Sequence, residues 1–176
     1  FTLNSLFASL GGDCFTLNDG DPIVNYDPLA DRWMLSQFAV GNRAGAGLAH
    51  ECVLVSQTPD PTGAYFAYDF AIPEPYFNDY PKLGVWPDAY VMTAPLFEGP
   101  VFGAGLFALN RAKMLVGDPT AEMIFLDLTT SHPGLSRILP ADLDGVPPPV
   151  GTANVLAGLA ANELGDAQDG VRLFEF

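Results

Sequence analysis

A chain of 176 residues has room for one domain with a sizeable core and would be cramped as two. Hydrophobic residues make up 49% and charged residues 16%, which argues against disorder and predicts a well-buried globular chain. The net charge of -14, from 21 acids against 7 bases, repels phosphate backbones and anionic lipid headgroups. Nucleic acid and membrane surfaces are therefore poor partners, whereas cations, basic proteins and neutral glycans stay open.

The acids are scattered singly, as on a solvated surface. No apolar run approaches the roughly 20 residues of a spanning helix, so no membrane insertion is expected. The chain opens at Phe1 without Met or a signal peptide, and the expectation is that any targeting segment was removed or lies upstream. Gly (18) and Pro (16) accompany 13 Phe and 6 Tyr, the mixture that many short strands joined by tight turns require.

In chain order, Cys14 follows the Gly11-Gly12 turn and Cys52 opens the apolar run to Val55. The residues leave two readings open. One is a disulfide, which suits an oxidising compartment and is worth on the order of 3 kcal/mol. The other is two buried thiols. Four strands are predicted over Asp21–Tyr26, Arg32–Val40, Cys52–Ser56 and Ala64–Ile72. Pro28 and Asp31, then Gly41 to Gly47, then Pro59 to Gly63 supply the turns between them. In the last strand Phe66, Tyr68 and Phe70 form an aromatic face opposite Tyr65, Ala67 and Asp69.

A second, looser set follows: strands over Asp88–Thr93, Gly103–Leu109 and Glu122–Leu128, with a helical turn over Asn110–Leu115 and a short fourth strand at Arg137–Leu139. Pro147-Pro148-Pro149 cannot donate ladder hydrogen bonds and marks a crossing loop. A third set has strands at Asn154–Leu159 and Val171–Phe176. The runs beginning at Asp21, Asp88 and Ala153 recur at intervals of about 66 residues and read as one repeated element. Four antiparallel strands per unit describe a propeller blade. The predicted fold is thus an all-β, partial β-propeller of about two and a half blades, with units at about 20–72, 87–139 and 152–176. An open ring leaves bare strand edges, so further blades or other chains are expected to complete it, and a fragment of a longer protein is favoured.

Several residues carry candidate chemistry. Asn18-Asp19-Gly20-Asp21 is oxygen-rich, as a Ca²⁺ loop requires, and Asp21 and Asp88 occupy corresponding repeat positions, which points to Asp19, Asp21 and Asp88 as cation ligands. The competing reading has each Asp fixing a turn through backbone N–H bonds. Asp142-Leu143-Asp144-Gly145 has a similar, weaker signature. Tyr80, Trp86 and Tyr90 flank Asp88, an arrangement able to stack on and hydrogen-bond a sugar ring or to wedge between blades. A sialidase-like glycosidase needs an arginine cluster and a Tyr nucleophile, and Asp31-Arg32-Trp33 is only a faint echo of that family's blade turn. A Cys52–His50 dyad is conceivable, but a disulfide would consume the thiol, and His50 and His132 read better as surface histidines.

The stretches Gly20 to Val24 with Tyr26-Asp27, Ala30 to Trp33, Ser36 to Phe38, Cys52 to Ser56, Asp60 to Gly63, Asp79 to Tyr90, Leu139 to Gly145 with Pro147 to Pro149, and Leu173 to Phe176 resemble a family of bacterial secreted seven-bladed β-propeller proteins. They cover most of the chain in the expected order. The resemblance implies a secreted propeller that continues for several more blades, and it implies pairing of Cys14 with Cys52. It carries no catalytic motif. The resulting expectation is a non-catalytic extracellular module, structural or binding a glycan or protein. The alternatives are a glycosidase whose catalytic residues lie mostly outside this chain and a subunit of a cell-surface assembly.

Overall fold

The computed structural model describes residues 2–41, 48–99 and 101–176. Within the expected Gly41-to-Gly47 turn, 42–47 lie outside the described residues. The chain is all-β, with three antiparallel sheets. The first is a meander of β1 (Gly20–Asp27), β2 (Arg32–Val40), β3 (Ala49–Ser56) and β4 (Tyr65–Ala71). These are the four strands expected, with β3 opening at Ala49 rather than Cys52. Their alternation sorts two faces. Met34, Val53, Val55, Tyr68 and Phe70 face the second sheet, while Ala39, Cys52 and Leu54 lie under the N-terminal segment with Phe7 and Cys14.

That segment is a 3-10 turn (Leu3–Phe7) and a single helical turn, α1 (Gly12–Thr16). The Cys14–Cys52 disulfide ties it to β3 across a sequence separation of 38. Closing a loop of that length removes about 4 kcal/mol of unfolded-chain entropy in the loop-closure picture.

The second sheet holds β5 (Phe77–Asn78), β6 (Lys82–Val85), β7 (Tyr90–Glu98), β8 (Val101–Leu109) and β9 (Met123–Asp127). β5 and β6 both pair with β7 and are two pieces of one edge. The break falls at Asp79-Tyr80-Pro81, where Tyr80 has φ +51 and Pro81 lacks an N–H. The expected helical turn is α2 (Arg111–Met114), capped by Asn110 accepting from Lys113 N at 3.2 Å.

The third sheet is β10 (Ile138–Pro140), β11 (Val155–Ala160) and β12 (Gly170–Glu175). Two expectations are corrected here. The strand at Arg137–Leu139, expected to end the second set, instead begins the third sheet, because Ile138 pairs with Gly158. The three runs taken as one repeated element are not equivalent either. Asp21 lies in the first strand of its sheet, Asp88 in the turn between β6 and β7, and Ala153 just ahead of β11.

The repeat that does exist is spatial. β1 packs beside β6, and β6 beside β10. Asn25 Nδ2 donates to Leu83 O at 2.9 Å, Val85 N to Asp142 Oδ1 at 2.7 Å, and Thr93 Oγ1 to Ile138 O at 2.5 Å. A core of Val85, Tyr90, Met92, Leu96, Phe107 and Leu109 meets the first sheet, and Trp86, Val91, Leu106, Ile138 and Leu156 join the second to the third. No helix among the described residues is long and apolar enough to cross a membrane.

Gly84 permits the closest approach. A Cβ there would sit 2.5 Å from Ala141 O, a backbone atom that cannot step aside. Gly84→Ala is expected to destabilise the chain by about 1–3 kcal/mol, measured by urea unfolding, while Gly145→Ala, with open space around its Cβ, changes stability little.

Candidate functional site

The most heavily bonded carboxylate in the fold is Asp27, at the end of β1 and fully buried. Its Oδ1 accepts Leu29 N (3.0 Å) and Ala30 N (3.1 Å), which close the β1–β2 turn. Tyr90 Oη donates to Oδ2 at 2.9 Å, and Arg111 reaches both oxygens, Nε at 2.7 Å and Nη2 at 3.1 Å. Arg111 Nη1 donates to Pro87 O at 3.1 Å. Burial, then the charge of Asp27, pushes the Tyr90 hydroxyl far above its ordinary range, so Tyr90 stays a neutral donor. Tyr90 is therefore a structural residue here, and no face of it is open to a ligand.

The other residues expected around Asp88 are divided between two places. Tyr80 lies before β6, is 56% exposed, and has Lys82 Nζ at 3.1 Å from its ring centroid. Trp86 and Asp88 lie beyond the other end of β6, whose four residues span about 13 Å. There they line a cleft of about 520 Å³ between the second and third sheets, together with Asn110, Glu122, Asn154 and Phe176. Trp86 is 8% exposed, and its Nε1 donates to Thr152 O at 2.9 Å, so the indole is a wedge between sheets as well as part of the cleft wall. Asp88 and Glu122 are exposed. Lys113 Nζ stands 3.9 Å from Glu122 Oε2. The cleft thus offers two aromatic residues, two carboxylates and two amides, and sequence reasoning found only Trp86 and Asp88 among them.

The cation candidates are not brought together. Asp19 Oδ2 accepts Val40 N at 2.7 Å, the turn-fixing role. Asp21 has φ +48 at a register shift near the start of β1, whereas Asp88 follows Pro87, whose carbonyl is held by the Arg111 that bonds Asp27 at the other end of the seam between the first two sheets. Among the described residues no group of three His, Cys, Asp or Glu side chains is placed to hold a metal ion. Asp142 is engaged with Val85 N.

The remaining candidates are occupied in other ways. His50 Nδ1 lies 2.6 Å from Asp69 Oδ1, its Nε2 lies 4.0 Å from Asp13 Oδ2, and Cys52 is in the disulfide, so the Cys52–His50 pair has no thiol to activate. His132 Nδ1 lies 3.0 Å from Ser131 Oγ. Arg111 is held by Asp27, Arg172 by Asp166, and Arg32 Nη1 by the carbonyls of Ala30 and Asp31. Three of the arginines a sialidase-like site would need are therefore engaged in structural contacts.

At the opposite end of the seam from Asp27, Glu51 on β3 is fully buried and accepts Asn78 Nδ2 at 2.8 Å. Nothing in the spacing of the sequence flags it. Compared with protein-family models, curated protein sequences and solved structures, the chain matches none.

Proposed function

We propose that this chain is part of an extracellular β-propeller acting as a non-catalytic binding or structural module, with its ligand site in the cleft between the second and third sheets. The observation that carries this reading is the placement of β1, β6 and β10 side by side, each opening an antiparallel sheet that stacks face to face on the next. Propeller blades are related in this way around a central channel, and concave clefts where packed units meet are common places for a ligand to sit. The disulfide agrees with an oxidising compartment.

The chemistry of the cleft favours a neutral glycan. Trp86 and Phe176 offer apolar ring surface and Asp88 and Glu122 accept from hydroxyls, while Asn110 and Asn154 line the cleft already bonded to Lys113 N and Ala141 O. Two carboxylates in a chain of net charge -14 repel sialylated or sulfated sugars. The Trp33→Phe variant leaves Trp86 as the single indole, and its fluorescence, read alongside a neutral-glycan array, reports occupancy. A neutral glycan is expected to change Trp86 emission, with affinity at least about tenfold weaker in Asp88→Ala and Glu122→Ala. Binding confined to anionic glycans, or binding unchanged in both variants, overturns the assignment.

A second reading, a subunit of a cell-surface assembly, draws on the outer face of the third sheet. There Leu159, Val171 and Leu173 are 63%, 70% and 69% exposed. Such a face is unusual on a free monomer. Light scattering on the chain is expected to show association that Leu173→Lys with Val171→Lys abolishes, whereas a monodisperse 18.8 kDa particle argues against this second reading.

A further inference from the structure

Glu51 sits where a carboxylate should not survive. Its strand neighbours on either side are Phe38 and Phe70, and Phe38 in turn packs edge-on against Phe77 at 5.2 Å. Its side chain crosses from the first sheet to Asn78 in the second. One bond of that crossing is made, Asn78 Nδ2 to Glu51 Oε2. Glu51 Oε1 and Asn78 Oδ1 are buried acceptors with no well-aligned donor, the Ser36 hydroxyl beside the carboxyl pulling on it without completing a bond of good geometry. Buried acceptors left facing apolar rings are costly to the fold.

A single proton resolves both. A carboxylic acid and a carboxamide meeting edge to edge form two reciprocal bonds, amide N–H to acid carbonyl and acid O–H to amide carbonyl. We propose that Glu51 is a neutral acid in the folded chain, paired with Asn78 through a shared proton, and that losing that proton to solvent weakens the join between the first two sheets. This is independent of the glycan reading and holds whether or not the cleft binds anything.

The surroundings agree. Burial is the main force on the Glu51 carboxyl and lifts it from 4.5 to about 7, against the opposing pull of Ser36 and Asn78. Charge reaches it from β1 as that of Asp21, which raises it further. β2 contributes Ser36 and Phe38, β4 Phe70 and β5 Asn78, all uncharged. Asp19 and Asp79 line the recess beside Phe38 and Phe77, so the neighbouring carboxylates add negative charge rather than relieve it.

The sign follows from linkage. Below the unfolded value near 4.5 both states carry the proton and the contribution is whole. Between 4.5 and about 7 only the folded state holds it, so stability falls as pH rises. The carboxylates of Asp60 and Asp118, held below their usual range by bonds from Thr62 and Thr120, act only in acid and leave this window clear.

Urea unfolding of the full chain and of Glu51→Gln, from pH 5 to pH 8, tests the pair. Relative to Glu51→Gln, the wild-type folding constant is expected to drop on the order of a hundredfold across that range. Parallel pH profiles overturn the proposal. So does stabilisation of the wild type, but not of Glu51→Gln, by Ca²⁺ at pH 8, which would make Glu51 a cation ligand. Should Glu51→Gln fail to fold, infrared difference spectra of the wild type with ¹³C-labelled glutamate decide. A protonated-carboxyl band that disappears as pH rises through 7 is expected, and its absence at pH 6 overturns the proposal.

Discussion

The Asp27 carboxylate is the point from which the arrangement of sheets is set. A charge fully removed from water is tolerable only when it is paired and its lone pairs are used, and Asp27 meets that condition with five donors from three parts of the chain. Two come from its own turn, one from the first residue of β7 and two from the start of α2. Satisfying all of them together allows little freedom in how the first sheet lies on the second. The apolar residues between the sheets then pack into a register that this polar cluster has already chosen.

A second polar cluster closes the far end of the same seam, and it works by the opposite device. Asp27 is bonded by a guanidinium, whereas Glu51 is surrounded by phenyl rings, one amide and the Ser36 hydroxyl. The third sheet is attached with less polar investment, through Thr93, Asp142, the Trp86 indole and the glycine-enabled approach at Gly84. That difference shapes the candidate site. The hairpin turn carrying Trp86 and Asp88 and the segment 151–154 approach without filling the space between them, and the cleft is what remains.

The first sheet was legible because each of its strands is a run of apolar residues bounded by turn formers, and because Phe66, Tyr68 and Phe70 alternate cleanly. β5 and β6 were not legible: two and four residues, split by Pro81 and carrying Gly84, give no period to detect. β10 was seen as a strand but joined to the wrong sheet, since its partner lies beyond the triple proline. The polar clusters were invisible for a different reason. Asp27 and Glu51 are two of 21 acids, and their partners Arg111 and Asn78 stand 84 and 27 residues away. Burial separates them from the surface acids, and burial of a lone carboxylate leaves no pattern in one sequence. The same holds for Glu122 and Asn154, which reach the cleft only through sheet stacking, whereas Trp86 and Asp88 could be found because an aromatic beside an acid in a proline-bracketed turn is a local signal.

The most direct test of this account is a double-mutant cycle between Asp27 and Arg111, with Asp27→Asn, which keeps an acceptor for the turn, and Arg111→Met. Measured by urea unfolding at constant pH, the coupling is expected to reach about 2 kcal/mol or more, the range of a buried pair whose members depend on each other. A coupling below about 0.5 kcal/mol, that of an exposed ion pair, would contradict it and leave the stacking of the sheets to apolar contacts alone.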